Sequence, residues 1–141
     1  DAGAAYIVYG GAETGGPVDE AFAVKLTGEA SEDQFGAHAV GDGDIDNDGS
    51  NDAMISAPFS GGTSDLGSVY VFYGALTGTV SAADADVRFD GSTLSDQLGN
   101  SLSFAGDIDG DGNSAILIGG AKKDTTGADA GGAYLMLDIG L

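Results

Sequence analysis

The stretch Asp65-Leu66-Gly67-Ser68-Val69-Tyr70-Val71-Phe72-Tyr73-Gly74 decides how the chain is read, because it occurs three times. An earlier copy is Asp1-Ala2-Gly3-Ala4-Ala5-Tyr6-Ile7-Val8-Tyr9-Gly10, and a later one begins Asp129-Ala130-Gly131-Gly132-Ala133-Tyr134-Leu135. Tyr6, Tyr70 and Tyr134 thus stand 64 residues apart. Three more blocks recur in the same order, each 63 residues on. Asp33-Gln34-Phe35-Gly36 returns as Asp96-Gln97-Leu98-Gly99, and Lys25-Leu26-Thr27-Gly28 as Arg88-Phe89-Asp90-Gly91. Gly43-Asp44-Ile45-Asp46-Asn47-Asp48-Gly49 returns as Gly106-Asp107-Ile108-Asp109-Gly110-Asp111-Gly112. The drift of one residue places a single insertion between about 59 and 64, in a Gly/Ser/Thr stretch suited to a loop.

Each repeat reads as four short strands separated by turn residues. Strand A covers about 36–42 and 99–105, B covers 53–57 and 115–119, C covers 4–9, 68–73 and 132–137, and D covers 22–27 and 86–90. Strand C is a continuous apolar run, with Val69, Val71 and Tyr73 on one face and Tyr70 and Phe72 on the other. Such a run implies a sheet covered on both sides. Four-stranded units of this length, recurring and covered on both faces, suit radially stacked propeller blades; a simple β-sandwich would need no such repeat. The expected fold is all-β, with about two and a quarter four-stranded blades. Residues 1–32 supply the C and D strands of a partial blade. Residues 33–95 form a full repeat, and 96–141 a second repeat lacking its last strand. Rings take at least about four blades, so this count does not close one by itself. Further blades of a longer chain, or other copies of the chain, are the expected cover for the open faces.

Composition agrees with loops and strands. The 141 residues carry 23 acids against 4 Lys and Arg, a formal charge of −19. Nineteen of the acids are Asp, which suits turns and metal loops better than helix surfaces. The charge argues against nucleic acid as a partner and against anionic membrane surfaces. No apolar run approaches the ~18 residues of a membrane span, so no direct membrane insertion is expected. With no Cys, disulfides, thiolate zinc sites and cysteine nucleophiles are excluded.

The sharpest chemical signal is the loop Asp44-Ile45-Asp46-Asn47-Asp48-Gly49-Ser50-Asn51-Asp52. Four carboxylates in nine residues repel one another unless a cation lies among them. Alternation at positions 1, 3 and 5 lets a tight loop turn its carboxylates inward. Gly49 permits the turn, the Ser50 carbonyl serves position 7, and Asp52 closes position 9. These are hard oxygen donors in the number that Ca²⁺ prefers over Mg²⁺, and no His/Cys cluster supports zinc. An EF-hand would need Glu at position 12 and flanking helices, but Ile55 and Ile118 stand there and apolar strands follow. The later loop offers Asp107, Asp109, Asp111 and the carbonyl of Asn113, but position 9 is Ala115. Lacking one carboxylate, it is the weaker of the two Ca²⁺ sites.

Phe35-Gly36, Gly43 through Gly49 with Asp52, Ser56-Ala57-Pro58 and Gly67-Ser68-Val69-Tyr70-Val71-Phe72 together resemble an FG-GAP repeat. Such repeats are the blades of integrin α-subunit propellers and of many secreted bacterial proteins. The later copy departs from the pattern, with Leu98-Gly99 and Gly119-Gly120-Ala121. In this family the Asp loop joins the first two strands of a blade and binds Ca²⁺. The resemblance therefore implies Asp44, Asp46, Asp48, the Ser50 backbone and Asp52 as ligands. Ligand recognition by integrin propellers uses a complete ring and is not carried over.

Other residues read as structural. His38 is the single histidine, so a Ser/His/Asp triad would have to use it, and no nucleophile-elbow motif exists. Lys122 and Lys123 read as solvated loop residues, the three repeated tyrosines as packing, and Asp1, Asp65 and Asp129 with the glycine two residues on as turns. The expected function is a non-catalytic, Ca²⁺-binding extracellular module for adhesion or for protein or glycan interaction. The alternatives are a filament or surface-layer subunit built by head-to-tail blade stacking, and an accessory propeller segment of a larger secreted enzyme.

Overall fold

A computed structural model describes residues 1–10, 16–17, 24–123 and 130–139. The described residues hold ten strands and two short 3₁₀ turns in three sheets. The complete sheet is antiparallel, in the order β3 (Ala39–Gly43), β4 (Asp52–Ala57), β5 (Ser68–Phe72) and β7 (Val87–Asp90). This is the A-B-C-D order of one blade. A sheet on one side contains β1 (Ala4–Ile7), β2 (Val24–Thr27) and β6 (Gly78–Ser81). The sheet on the other side contains β8 (Leu98–Gly106), β9 (Ala115–Gly120) and β10 (Gly132–Met136), an A-B-C order. The fold is all-β, an open stack of partial and complete propeller blades, with no closed barrel among the described residues. Residues 22 and 23 of the expected first D strand lie outside the described residues, as does Asp129.

One strand was not expected. The connection after β5 reads as a loop in sequence, yet Gly78-Thr79-Val80-Ser81 forms β6 and pairs parallel with β2, Leu26 opposite Val80. Its four residues are too few to show a period, and only Thr79 and Val80 favour a strand. The edge of β2 supplies the ladder that the segment needs. The complete blade thereby lends a strand to its neighbour.

Two apolar layers hold the sheets together. Between the β1–β2–β6 sheet and the complete blade lie Val24, Leu26, Phe35, Ile55, Tyr70 and Phe72, all buried. Between the complete blade and the β8–β9–β10 sheet lie Met54, Val69, Val71, Leu98, Ile116 and Ile118. Every residue of β4 and β5 is buried, as a strand covered on both faces requires. Tyr70 meets the edge of Phe35 at 5.4 Å between ring centroids, and the Arg88 guanidinium lies 5.2 Å over the Tyr70 ring. Burial pushes the Tyr70 hydroxyl up to about 12, which suits packing rather than acid–base chemistry.

The repeated turn and the repeated Phe-Gly or Leu-Gly block meet at each seam. The Phe35 amide donates to the Ala2 carbonyl at 3.1 Å, and the Leu98 amide to the Leu66 carbonyl at 3.0 Å. Gly67 has φ +80°, and a Cβ there would fall 2.3 Å from the Leu98 nitrogen. Only glycine permits both the left-handed backbone and this approach. The same constraint at Gly3, against Phe35, explains why the turn recurs with glycine at its third position.

Candidate metal centre

Both aspartate loops connect the first two strands of a sheet, β3 to β4 and β8 to β9. They share a backbone plan. Position 4 is left-handed in each, with Asn47 at φ 57° and Gly110 at 83°, and position 6 is Gly49 at 88° or Gly112 at 100°. These two reversals fold the carboxylates onto their own backbone. Asp44 accepts from the amides of Asp48 (3.1 Å) and Gly49 (2.9 Å), and Asp48 accepts from Ser50 (2.7 Å). In the later loop Asp107 accepts from Gly110 (2.6 Å), Asp111 (3.1 Å) and Gly112 (3.0 Å), and Asp111 accepts from Asn113 (2.8 Å).

Asp44, Asp46 and Asp48 each bring one carboxylate oxygen within 4.8 Å of the others, and so do Asp107, Asp109 and Asp111. No other such groups of metal-ligating side chains occur among the described residues. The donors fit a hard cation: all are oxygens, each keeps lone pairs beyond those used by the amides, and glycine shapes the turn. Acidic clusters able to hold a metal ion are therefore present in adjacent sheets. Ser50, whose carbonyl belongs to the expected first set, follows Gly49 and is half-buried. In the later loop the Asn113 side-chain amide also turns onto Asp111, at 3.0 Å.

Asp52 stands apart from the three-carboxylate group. It is 2% exposed at the start of β4, opposite Gly43. Its Oδ2 accepts from the Ile45 amide at 2.6 Å and its Oδ1 from the Gly74 amide at 2.8 Å. Burial raises its pKa, the two amides oppose that rise, and the charges of Asp46 and Asp44 add to it. Asp52 thus ties the loop to the strand ends at both Ile45 and Gly74. Sequence spacing marked Asp52 but not Gly74, because that partner comes from the end of another strand. Ala115 holds the equivalent place in the later loop and offers no acceptor.

His38, Lys122 and Lys123 differ in their surroundings. His38 is exposed, and its backbone amide donates to Ser56 Oγ at 3.2 Å. Lys122 is exposed as expected, but Lys123 is not a solvated residue. Its side chain is 13% exposed, and its ammonium lies 2.7 Å from Asp96 Oδ2 and also reaches Ser92 and Thr93. Lys123 follows the turn after β9, where its amide donates to the Gly120 carbonyl at 3.2 Å. A cleft of about 520 Å³ opens beside the first loop, lined by Ile7, Tyr9, Val40, Asp52 and Ile55 among others.

No family model matches the chain. Individual proteins do. Integrin alpha-V of Gallus gallus is 33% identical over 103 residues, which is 72% of this chain and 10% of that protein. Integrin alpha-5 of Xenopus laevis is 35% identical over 103 residues, again 72% of this chain and 10% of the relative. Integrin alpha-PS5 of Drosophila melanogaster is 36% identical over 90 residues, 61% of this chain and 9% of the relative. The chain spans about a tenth of the length of these relatives. The aligned share of the chain, the repeated blocks and the blade topology agree, and the chain belongs with the FG-GAP repeats of integrin-α-like β-propellers.

Proposed function

We propose that the chain is a calcium-stabilised, non-catalytic module of an extracellular adhesion or interaction protein. Its units are the complete repeat 33–95 flanked by the partial repeats 1–32 and 96–141. One observation carries the reading: two loops at the same place in adjacent sheets each gather three aspartates within 4.8 Å, on carboxylates already aimed by backbone amides. The first site draws on Asp44, Asp46, Asp48, the Ser50 carbonyl and Asp52, and the second on Asp107, Asp109, Asp111 and the Asn113 carbonyl. An ion there relieves carboxylate repulsion and fixes the loops that join the first two strands of each sheet. Sites of modest affinity fill where calcium is ~1 mM, which favours an extracellular setting. No helix among the described residues is long and apolar enough to cross a membrane.

Thermal melting in CaCl₂, in chelator and in NaCl of matched ionic strength tests the reading. Calcium binding to the folded state adds about 2.7 kcal/mol at a hundredfold excess over Kd. The expected result is a calcium-specific rise in Tm that Asp46→Asn with Asp48→Asn largely removes. Equal melting in calcium and chelator overturns it.

A second reading, assembly by blade stacking, is favoured by the outer face of the β8–β9–β10 sheet. Leu117, Leu135 and Leu137 are 40–51% exposed there. A sheet face of this kind gains by burial against a further blade or a copy of the chain. Sedimentation across a hundredfold concentration range tests it; a monomer throughout rules out self-stacking.

A further inference from the structure

We propose that the two aspartate loops take up cations as a coupled pair, and that Ser114 and Asn47 carry the coupling. The inference rests on the calcium reading above. The loops belong to different sheets, yet they touch at their ligand-bearing residues. The Asp44 amide donates to Ser114 Oγ at 3.2 Å, and the Ser114 amide donates back to the Asp44 carbonyl at 2.8 Å. Asp44 is the first ligand position of one loop. Ser114 lies between Asn113, whose carbonyl is the seventh position of the other loop, and Ala115, where β9 begins. A second contact runs beside the first. The Asn47 side chain covers Gly112, where a Cβ would fall 2.6 Å from Asn47 Nδ2. Gly112 in turn donates its amide to Asp107, the first ligand position of its own loop.

Fixing one loop therefore fixes part of the other. An ion held by Asp44 immobilises the peptide that grips Ser114, which orients the Asn113 carbonyl. An ion held by Asp107 orders Gly112, on which Asn47 rests. A ligand that orders a shared segment lowers the ordering cost for the next one. Charge works against this, because the first ion weakens the negative field that attracts the second. That opposition is screened over about 8 Å at physiological ionic strength, whereas the hydrogen-bonded contact is not. The net coupling is positive, and by linkage each ion tightens the other by the same factor.

The test is calorimetric titration of the whole chain with CaCl₂ in 150 mM NaCl, with circular dichroism to confirm folding. Asp46→Asn/Asp48→Asn disables the earlier loop, and Asp109→Asn/Asp111→Asn the later one; single Asp46→Asn and Asp109→Asn serve if a double variant does not fold. Asn47→Gly/Ser114→Ala removes the two side-chain contacts but no ligand, leaving the Ser114 amide on the Asp44 carbonyl in place, and glycine keeps the left-handed backbone at 47, as Gly110 does in the other loop. The expected result is two ions in the unaltered chain, with the later loop about fivefold or more tighter than when the earlier loop is disabled. The reciprocal comparison gives the same factor, and Asn47→Gly/Ser114→Ala binds two ions with that factor clearly reduced, since only the backbone bond between Ser114 and Asp44 remains. Unchanged affinity of the later loop, tighter binding when its neighbour is disabled, or uptake of one ion only overturns the coupling while leaving a calcium site in place. No uptake at all overturns the calcium reading itself, and the coupling with it.

Discussion

The complete blade and the β8–β9–β10 sheet are two copies of one sequence pattern, and they differ mainly in what covers them. Met54, Val69 and Val71 face the β8–β9–β10 sheet and are wholly buried. Their repeat counterparts Leu117, Ala133 and Leu135 sit in the same register, Leu117 opposite Leu135, and are all exposed, the two leucines to 40% and 51%. Burial of an apolar side chain stabilises by roughly 1.5–3 kcal/mol, so identical pattern positions contribute very differently to this chain's stability. The repeat dictates the face; only the neighbour makes it a core.

The largest effect should come from breaking that contrast. Met54→Asp buries an unpaired carboxylate between two sheets and should cost about 4 kcal/mol or more, lowering Tm by about 10 °C or preventing folding. Leu117→Asp, at the equivalent position, should cost under about 1 kcal/mol. Chemical denaturation of the two variants measures the difference directly. Equal losses would mean that the Leu117 face is covered in solution, and sedimentation of the unaltered chain would then show by what.

The next contrast lies at the repeated Asp-Gln block. Asp33 and Asp96 are equivalent and both buried, but their carboxyls are perturbed in opposite directions. At Asp33 burial and the Glu29 charge raise the pKa against the pull of Arg88. At Asp96 burial pulls upward too, but the Lys123 ammonium and the Thr93 and Ser92 amides overcome it, and the pKa falls. Two differences between the repeats contribute: Glu29 stands where Ser92 does, and the turn after the second strand differs. Ser60 stands where Lys123 does, bonded to the Ser68 hydroxyl, which donates to Asp90. Lys123→Met should cost about 3 kcal/mol by leaving Asp96 buried and unpaired, against about 1 kcal/mol for Ser60→Ala.

The pH dependence follows the same split. A lowered folded pKa means that Asp96 stabilises above its unfolded value of about 3.9 and loses that stabilisation as pH falls through the lower folded value. A raised one means that ionised Asp33 opposes folding above about 3.9, and that the penalty lifts as pH falls through the folded value. Asp33→Asn should therefore raise Tm at pH 7, with the gain shrinking as the pH drops below the folded pKa. Asp96→Asn should lower Tm at pH 7, and that loss should begin to shrink only as the pH falls below about 3.9 toward the lower folded value. Melting curves from pH 3 to 7 decide it, and like signs for both variants at pH 7 would remove the contrast.

Much of this was legible in the sequence because it is written in local alphabets. Strand B and C positions follow from apolar runs between turn residues, and the loop plan follows from alternating Asp with glycine at position 6. What the sequence did not disclose depends on partners far along the chain. β6 exists because the β2 edge is free to receive it, and nothing in Gly78-Thr79-Val80-Ser81 announces that edge. Lys123 reads as a loop lysine until Asp96, 27 residues earlier, is seen beneath it. Gly74 and Ile45 hold Asp52 through their backbone amides, which carry no side-chain signature.

The smallest contrast is also the most constructive, since it asks whether the weaker loop can be made into the stronger one. Ala115→Asp supplies the missing ninth-position carboxylate and an acceptor for the Ile108 amide, as Asp52 serves Ile45. It does not recreate the whole anchor. Gly74, whose amide holds the other oxygen of Asp52, is replaced at its repeat position by Asp138, a like charge beside the new carboxylate. Ile108 is 54% exposed where Ile45 is 6%, so the restored amide bond would also be wetter and weaker. Ala115→Asp alone should therefore tighten calcium at the later loop by only a few-fold, while Ala115→Asp with Asp138→Gly should reach about tenfold, because charge count and site rigidity rise together. Titration in the Asp46→Asn/Asp48→Asn background reads the later loop in isolation. If the double change binds no more tightly than Ala115→Asp alone, the backbone anchor at Gly74 contributes nothing to affinity, and the ninth-position charge by itself separates the two loops.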